Sequence, residues 1–325
     1  MDIGSLDYDF RDEVKGFLIE DGSVYGDKEA RYYFYEYDDY TENERNAATL
    51  LNEILNDKEL PNFSNIIIGC WGAVGLESVQ PLIDGIVESE IVKNQGKFSH
   101  VKTLFMGDID RDDGEPSWII QGDYSKFWKA MPALEMFGIK GSQGLELGNI
   151  VHENLREFDI VSAGLGKNVI ESIRDAKLPL LERLTLYIGV EDSGFTGDID
   201  DIKDMIDKSD FPNLKHIGLE NSAIQDEITQ ILFASKYINQ VESISIANGT
   251  LTDKGGQIIL DNLKKYPNIK ELDLHYNYLS DDMREKLEKL AEECNVEIDV
   301  YDADAYELDE FDEDDDMSYY VMMTE

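Results

Sequence analysis

The stretch Tyr266–Leu279, YPNIKELDLHYNYL, decides how the chain is read. It sets Ile269, Leu272, Leu274, Asn277 and Leu279 in the order L-x-x-L-x-L-x-x-N-x-L. That pattern describes a short strand turning through a buried Asn into a helix or looser segment. One occurrence in a Leu-rich chain decides nothing, so recurrence is the test. The same triplet of apolar anchors returns upstream at Phe63, Ile66, Ile68, then Val101, Leu104, Met106, then Leu134, Phe137, Ile139. It continues through Leu155, Phe158, Ile160, then Leu181, Leu184, Leu186, then Leu214, Ile217, Leu219, and Val241, Ile244, Ile246. The segment NVEIDV adds Val296, Ile298 and Val300 as a final strand. From Val101 onward the first anchors are 33, 21, 26, 33, 27 and 28 residues apart.

A period near 28 residues suits a unit of one strand and one α-helix, the strongly curved class of leucine-rich repeat. The expected fold class is therefore α/β: a leucine-rich-repeat solenoid, a right-handed β-α superhelix shaped as a horseshoe with a parallel concave sheet and convex helices. The intervening segments agree. Ser78 is placed to cap a helix with Val79, Leu82, Ile83, Ile86 and Val87 on one face, and Ser280 to cap another with Asp281 and Asp282 in its first turn. Pro132, Pro179, Pro212 and Pro267 each stop a segment two residues before a strand anchor. Upstream, EARYYFYEYDDY (29–40) reads as a strand, and Thr41 with Glu44 has capping-box spacing before a helical run ending near Pro61. The expected organisation is a capping region at 1–61, a repeat domain of eight to nine units at 62–301, and an acidic tail at 302–325.

The formal net charge of −41 would repel a nucleic-acid backbone or an anionic membrane, so neither is expected as a partner. Cys70 and Cys294 lie far apart, without metal or redox spacing, which fits a reducing compartment. The first residues, MDIGSLDYDF, lack a basic region and an apolar run, and no apolar stretch approaches the ~20 residues that cross a bilayer. A cytoplasmic monomer is expected. The tail carries eleven carboxylates and no basic residue, then turns apolar at Tyr319, Tyr320, Val321, Met322 and Met323. Either this tip docks on the solenoid or it serves as a recognition peptide.

In such a repeat the anchors enter the core and alternate residues face the concave side. Those columns contain Phe105, Asp159, Arg183, Tyr187, His216, Asp273 and His275, mixed in charge and suited to a protein or peptide. The long insertion GDIDRDDGEPSWIIQGDYSKFW (107–128) adds Trp118, Gln121 and Asp123 as a lip, or else packs Trp118 and Trp128 inward. Asp108, Asp110, Asp112 and Asp113 lack the spacing and closing Glu of an EF-hand, so no metal is expected. The four histidines fall in four different repeats, and no nucleophile elbow, phosphate-cradling Lys loop or dinucleotide glycine motif occurs. No enzyme activity and no cofactor are expected.

The motifs IIIGCWG (66–72), MGDID with SWIIQGD, GLELG (144–148), LTDKG (251–255) and LDLHYNYLS (272–280), with the acidic tail, resemble an uncharacterised group of bacterial cytoplasmic leucine-rich-repeat proteins. More generally the repeats resemble those of ribonuclease inhibitor. The resemblance implies a protein-interaction scaffold and no activity. The alternative is a non-catalytic accessory or substrate-presenting subunit of an enzyme system, docking through its tail.

Overall fold

A computed structural model describes residues 24–25, 29–32, 44–109, 114–301 and 320–323. The chain divides into two compact units, Met1–Val161 with Ala176–Leu181, and Ser162–Asp175 with Glu182–Glu325.

In the first unit β1 (Val24–Tyr25) runs antiparallel to β2 (Glu29–Tyr32), after which every pairing is parallel. The next strands are β3 (Asn65–Gly69), β4 (Thr103–Asp108), β5 (Met136–Lys140) and β6 (Glu157–Val161). Their register aligns the repeat anchors: Ile66 with Leu104, Leu104 with Phe137, and Phe137 with Phe158. β2 joins the same rows, placing Ala30 beside Ile66 and Tyr32 beside Ile68. All of these side chains are buried. The rest of the expected strand, residues 33–40, lies outside the described residues.

Helix α1 (Ala47–Asn56) is capped by Asn46, not by the expected Thr41–Glu44 box. The Asn46 carboxamide accepts from the Ala48 and Thr49 N–H groups, and Thr49 accepts in return from the Asn46 N–H. Helix α2 (Gln80–Val87) buries Leu82, Ile83 and Ile86. Ser78 does bind its first turn, accepting from the Gln80 N–H at 3.0 Å while donating to the Gln121 carbonyl at 2.7 Å.

One expectation fails in this unit. Between β4 and β6 the described return segments contain no α-helix, only the 3₁₀ turns Pro116–Trp118 and Phe127–Lys129. Extended pieces stack there instead, through parallel bridges from Ile120 to Gln143 and from Asp123 to Glu146. The cause is in the sequence, since GSQGLELG has no helical run of apolar residues. Aromatic rings pack the core of this stretch. Phe137 and Phe158 stack at 5.8 Å with planes 2° apart, and Trp128 meets both edge-on. Trp128 also donates from Nε1 to the Leu147 carbonyl at 2.9 Å.

The second unit holds one helix per repeat. It runs α3 (Lys167–Arg174), β7 (Arg183–Gly189), α4 (Ile199–Lys208), β8 (His216–Ser222) and α5 (Gln225–Ala234). It continues with β9 (Ser243–Ser245), α6 (Asp253–Asn262), β10 (Glu271–Asp273), α7 (Asp281–Cys294) and β11 (Glu297–Asp299). The strands are parallel, and Leu184, Ile217, Ile244, Leu272 and Ile298 form one row. Each helix packs on the next. Ser280 caps α7 as expected, accepting from the Met283 N–H. Among the described residues no helix is long and apolar enough to cross a membrane.

The turn after each strand has its own period. Asn221, Asn248 and Tyr276, each two places beyond a third anchor, adopt left-handed φ of 52°, 61° and 53°. Asn tolerates that region, and its recurrence here marks one turn used three times. Their N–H groups continue the ladder past the strands, donating to the carbonyls of Ala247, His275 and Tyr301 at 2.8–2.9 Å. Buried carboxamides satisfy the carbonyls that point inward. Asn277 donates to the Leu274 and Ile246 carbonyls and accepts from the Leu251 N–H. In the Leu214 repeat Gln225, from the helix, donates to the Leu219 carbonyl and accepts from the Ser222 N–H.

Leu272→Ala is expected to cost about 2–5 kcal/mol through lost burial and a residual cavity. Asn277→Ala is expected to cost ~1–3 kcal/mol by leaving main-chain groups unpaired. Glu271→Ala, exposed one residue before Leu272, serves as the control and should stay within about 0.5 kcal/mol. Chemical denaturation of the three variants checks this order.

Candidate functional site

The strand faces expected to meet a partner are more closed than alternation alone implies. Phe105 is 6 % exposed, Asp159 1 %, Tyr187 2 % and His216 8 %. Strands ~4.8 Å apart bring same-phase side chains into contact, so a large residue covers its neighbours. Gln121 is buried for a different reason. Its Nε2 donates to the Lys140 carbonyl at 2.8 Å and its Oε1 accepts from the Tyr124 hydroxyl at 2.7 Å, so it works as an internal carboxamide and not as a lip. Asp123 is spent locally: it accepts from the Ser125 N–H at 2.8 Å, and hydrogen bonding from the Ser125 side chain first, then from its N–H, holds the carboxyl below the usual range. Trp118 remains exposed, so of the two loop tryptophans only Trp128 packs inward. Asp110, Asp112 and Asp113 lie outside the described residues.

In the second unit the remaining candidates form two polar groups on the sheet. The first is Arg183, Thr185, His216 and Ser243. His216 Nδ1 lies 2.9 Å from the Ser243 hydroxyl and Nε2 3.4 Å from the Thr185 hydroxyl. Burial, with the Arg183 charge beside it, pushes the His216 pKa down to about 3, so the ring is neutral. The second group is Tyr187, Glu220, Asn248, Ser245, Asp273 and His275. Asn248 Nδ2 donates to the Tyr187 hydroxyl and to Glu220 Oε2, both at 3.2 Å. Burial raises the Glu220 pKa against the opposing bonds from Ser245 and Tyr187.

His275 Nδ1 donates to Asp273 Oδ1 at 2.5 Å. Burial of this ring works against its charge, but the Asp273 bond and the fields of Asp273, Glu220 and Asp299 together lift its pKa above the ordinary value. Asp273, His275 and Asp299 are the described residues whose ligand atoms group as a metal would need, within 4.8 Å of one another. The Asp–x–His spacing puts two of them on one face of a strand. Here His275 Nδ1 is engaged with Asp273, and Asp299 accepts from the Tyr301 N–H at 2.8 Å, so the arrangement is satisfied as an ion pair and a turn.

The apolar tip of the acidic tail docks beside this second group. Asn221, fully buried, holds Met323 through both main-chain groups: Nδ2 donates to the Met323 carbonyl at 2.8 Å, and Oδ1 accepts from the Met323 N–H at 2.9 Å. The Met322 N–H donates to the Asn248 carbonyl at 3.1 Å. The Tyr278 hydroxyl meets Tyr320, donating to its carbonyl at 2.9 Å and accepting from its N–H at 3.0 Å. Val321 and Met323 are buried, whereas Tyr320 is 68 % exposed. Asn248 thus belongs to both arrangements, with its side chain on Glu220 and its carbonyl on the tip. Asn221, Asn248 and Tyr278 are absent from the candidate list drawn from the sequence. The only signal there was Asn at the same turn phase in two consecutive repeats.

The two histidines are expected to titrate on opposite sides of their ordinary value of 6.5. For His275 the folded pKa is raised, so its stabilisation is full below 6.5 and lost as pH rises through the raised value. For His216 the folded pKa is depressed, so its stabilisation is present above 6.5 and lost as pH falls toward about 3. NMR titration of ring-labelled histidines checks both, and Asp273→Asn should bring His275 downward. Two rings titrating together near the ordinary value would mean that neither group is enclosed.

No family model matches the chain, and no curated protein matches it. Among solved structures, a crystal structure of a Bacteroides fragilis protein from a structural genomics programme is 39 % identical, with a TM-score of 0.75. The match covers 85 % of this chain and 74 % of that one. At that identity over that span, the chain belongs to the same family as the Bacteroides fragilis protein.

Proposed function

We propose that this chain is a non-catalytic binding module of leucine-rich-repeat type, which holds a protein or peptide on its second unit. The observation that carries this reading is the docked segment Tyr320–Met323, a short peptide with a bend at Met322, held largely through its main chain by Asn221, Asn248 and Tyr278. Main-chain hydrogen bonds supply affinity, and pockets for enclosed side chains supply selectivity. The buried and exposed pattern of Tyr320 to Met323 has that form. The contact surface in this reading is the line of turns after β8, β9 and β10, with Arg183 and His275 on the adjoining sheet.

The soluble chain immobilised at low density should retain specific partners from its native lysate, quantified by mass spectrometry. Asn221→Gly with Tyr278→Phe in the same chain should deplete those partners at least about tenfold. Glycine keeps the left-handed φ of Asn221, so the turn survives the change. Equal recovery by both chains, or no specific partner on either, would end this reading.

A further inference from the structure

We infer that the Asn221–Asn248–Tyr278 site is an exchangeable peptide receptor. Its ligand in trans is a short peptide segment with uncharged aliphatic or thioether side chains at the two enclosed positions, and the chain's own Tyr320–Met323 occupies it in cis as a competitor. The inference rests on the binding-module reading and names its ligand class and its regulation.

Three observations define the ligand. The Asn221 carboxamide bonds to both the N–H and the carbonyl of one residue, Met323, which demands a free N–H there. The Met322 N–H is also required, because it donates to the Asn248 carbonyl. Proline is therefore excluded at both positions. Side chains at the positions of Val321 and Met323 are enclosed, whereas Tyr320 points outward and is open to substitution. Charge is excluded at the enclosed positions. Both positions are enclosed, so an added carboxylate or ammonium would lose its hydration there.

The regulation follows from connectivity. The covalent link through residues 302–319 keeps the segment near its site at an effective concentration on the order of millimolar. A competitor in trans must outbid that value. Ligand binding and release of the cis segment are then one exchange.

The probe is a fluorescein-labelled peptide of sequence SYYVMMTE, matching residues 318–325. It is titrated by fluorescence anisotropy into the full-length chain and into the full-length double variant Met322→Pro, Met323→Pro. The double variant loses both N–H donors of the cis segment, Met322 to the Asn248 carbonyl and Met323 to Asn221 Oδ1, and should bind the probe at least about tenfold more tightly than the unaltered chain. Adding Asn221→Gly to it should remove binding. Tyr278→Phe, which alters only an exposed hydroxyl, should weaken binding several-fold and guards against a folding defect at Asn221. A probe with Pro at the two Met positions should not bind, whereas one with Ala for Tyr320 should.

Equal affinity for the unaltered chain and the double variant would overturn the cis competition. No binding to the double variant would overturn the receptor itself. If the full-length chain still retained its partners in that case, the binding-module reading would survive elsewhere on the molecule; if it did not, both would fall.

Discussion

Where a parallel strand ends inside the protein, the carbonyl of its last anchor points into the core instead of to water, and leaving it unpaired costs about 1–3 kcal/mol. The chain meets this constraint with buried carboxamides. Asn277 sits in the turn itself, reaching the carbonyls of Leu274 and Ile246. Gln225 reaches the Leu219 carbonyl from the first residue of a helix, and Gln121, from an extended return segment, reaches the carbonyl of the anchor Met106 at 3.5 Å and that of Lys140, one place past the anchor Ile139. The chemistry is constant while its position in the sequence moves. With the carbonyl satisfied, the chain can leave the sheet along one path, and the left-handed turn at Asn221, Asn248 and Tyr276 repeats in step.

That constancy explains how much of the fold was legible. Anchors three and then two residues apart mark the strands because burial on one face has a fixed period, and the strands at Leu104, Phe137, Phe158, Leu184, Ile217, Ile244 and Leu272 fall where they should. Asn277 was legible because it occupies the motif position. Gln225 and Gln121 were not, since a longer side chain serves the same carbonyl from elsewhere. The missing helix before β6 was visible in the 21-residue interval from Leu134 to Leu155, but an average period hides a short member. At the site, alternation assigned Tyr187, His216 and Asp273 to the strand face, yet Tyr187 and His216 are buried there. It could not show how closely neighbours cover one another, which is why Phe105 and Asp159 are enclosed. The tip receptor was out of reach because it joins Asn221 to Met323, two residues with no periodic relation.

A chain with net charge −41 has reason to keep like charges apart, and the second unit shows how it tolerates a few close together. On the outer rungs, Lys215 pairs with Glu182, Lys270 with Glu242 and Lys254 with Glu227, each between neighbouring repeats. Such exposed pairs add little stability individually but relieve repulsion along a row. Nearer the core, Asp273 is matched by His275, whose charge the surrounding carboxylates favour, and Glu220 shifts toward its neutral form. Pairing and protonation thus handle charge according to depth.

The docked tip shows why exchange, and not permanent closure, is the physical expectation. About five hydrogen bonds at a net ~1 kcal/mol each, with two buried apolar side chains at about 1.5–3 kcal/mol each, set the favourable side. Ordering four residues at roughly 1–2 kcal/mol apiece, with their side chains, removes most of it. A free peptide must also give up translational and rotational freedom, which costs at least about 4 kcal/mol. The attached segment has already surrendered much of that freedom through its covalent link. It can therefore hold a site that the same sequence, untethered, would occupy only weakly. In the exchange we propose, a partner would displace it by adding contacts outside the four docked residues, for which Arg183 and the paired His275 stand on the same unit. A receptor that reads main chain through asparagine is general by construction. Its selectivity must come from those added contacts and from the two enclosed side chains, and both are absent from the repeat pattern that builds the fold.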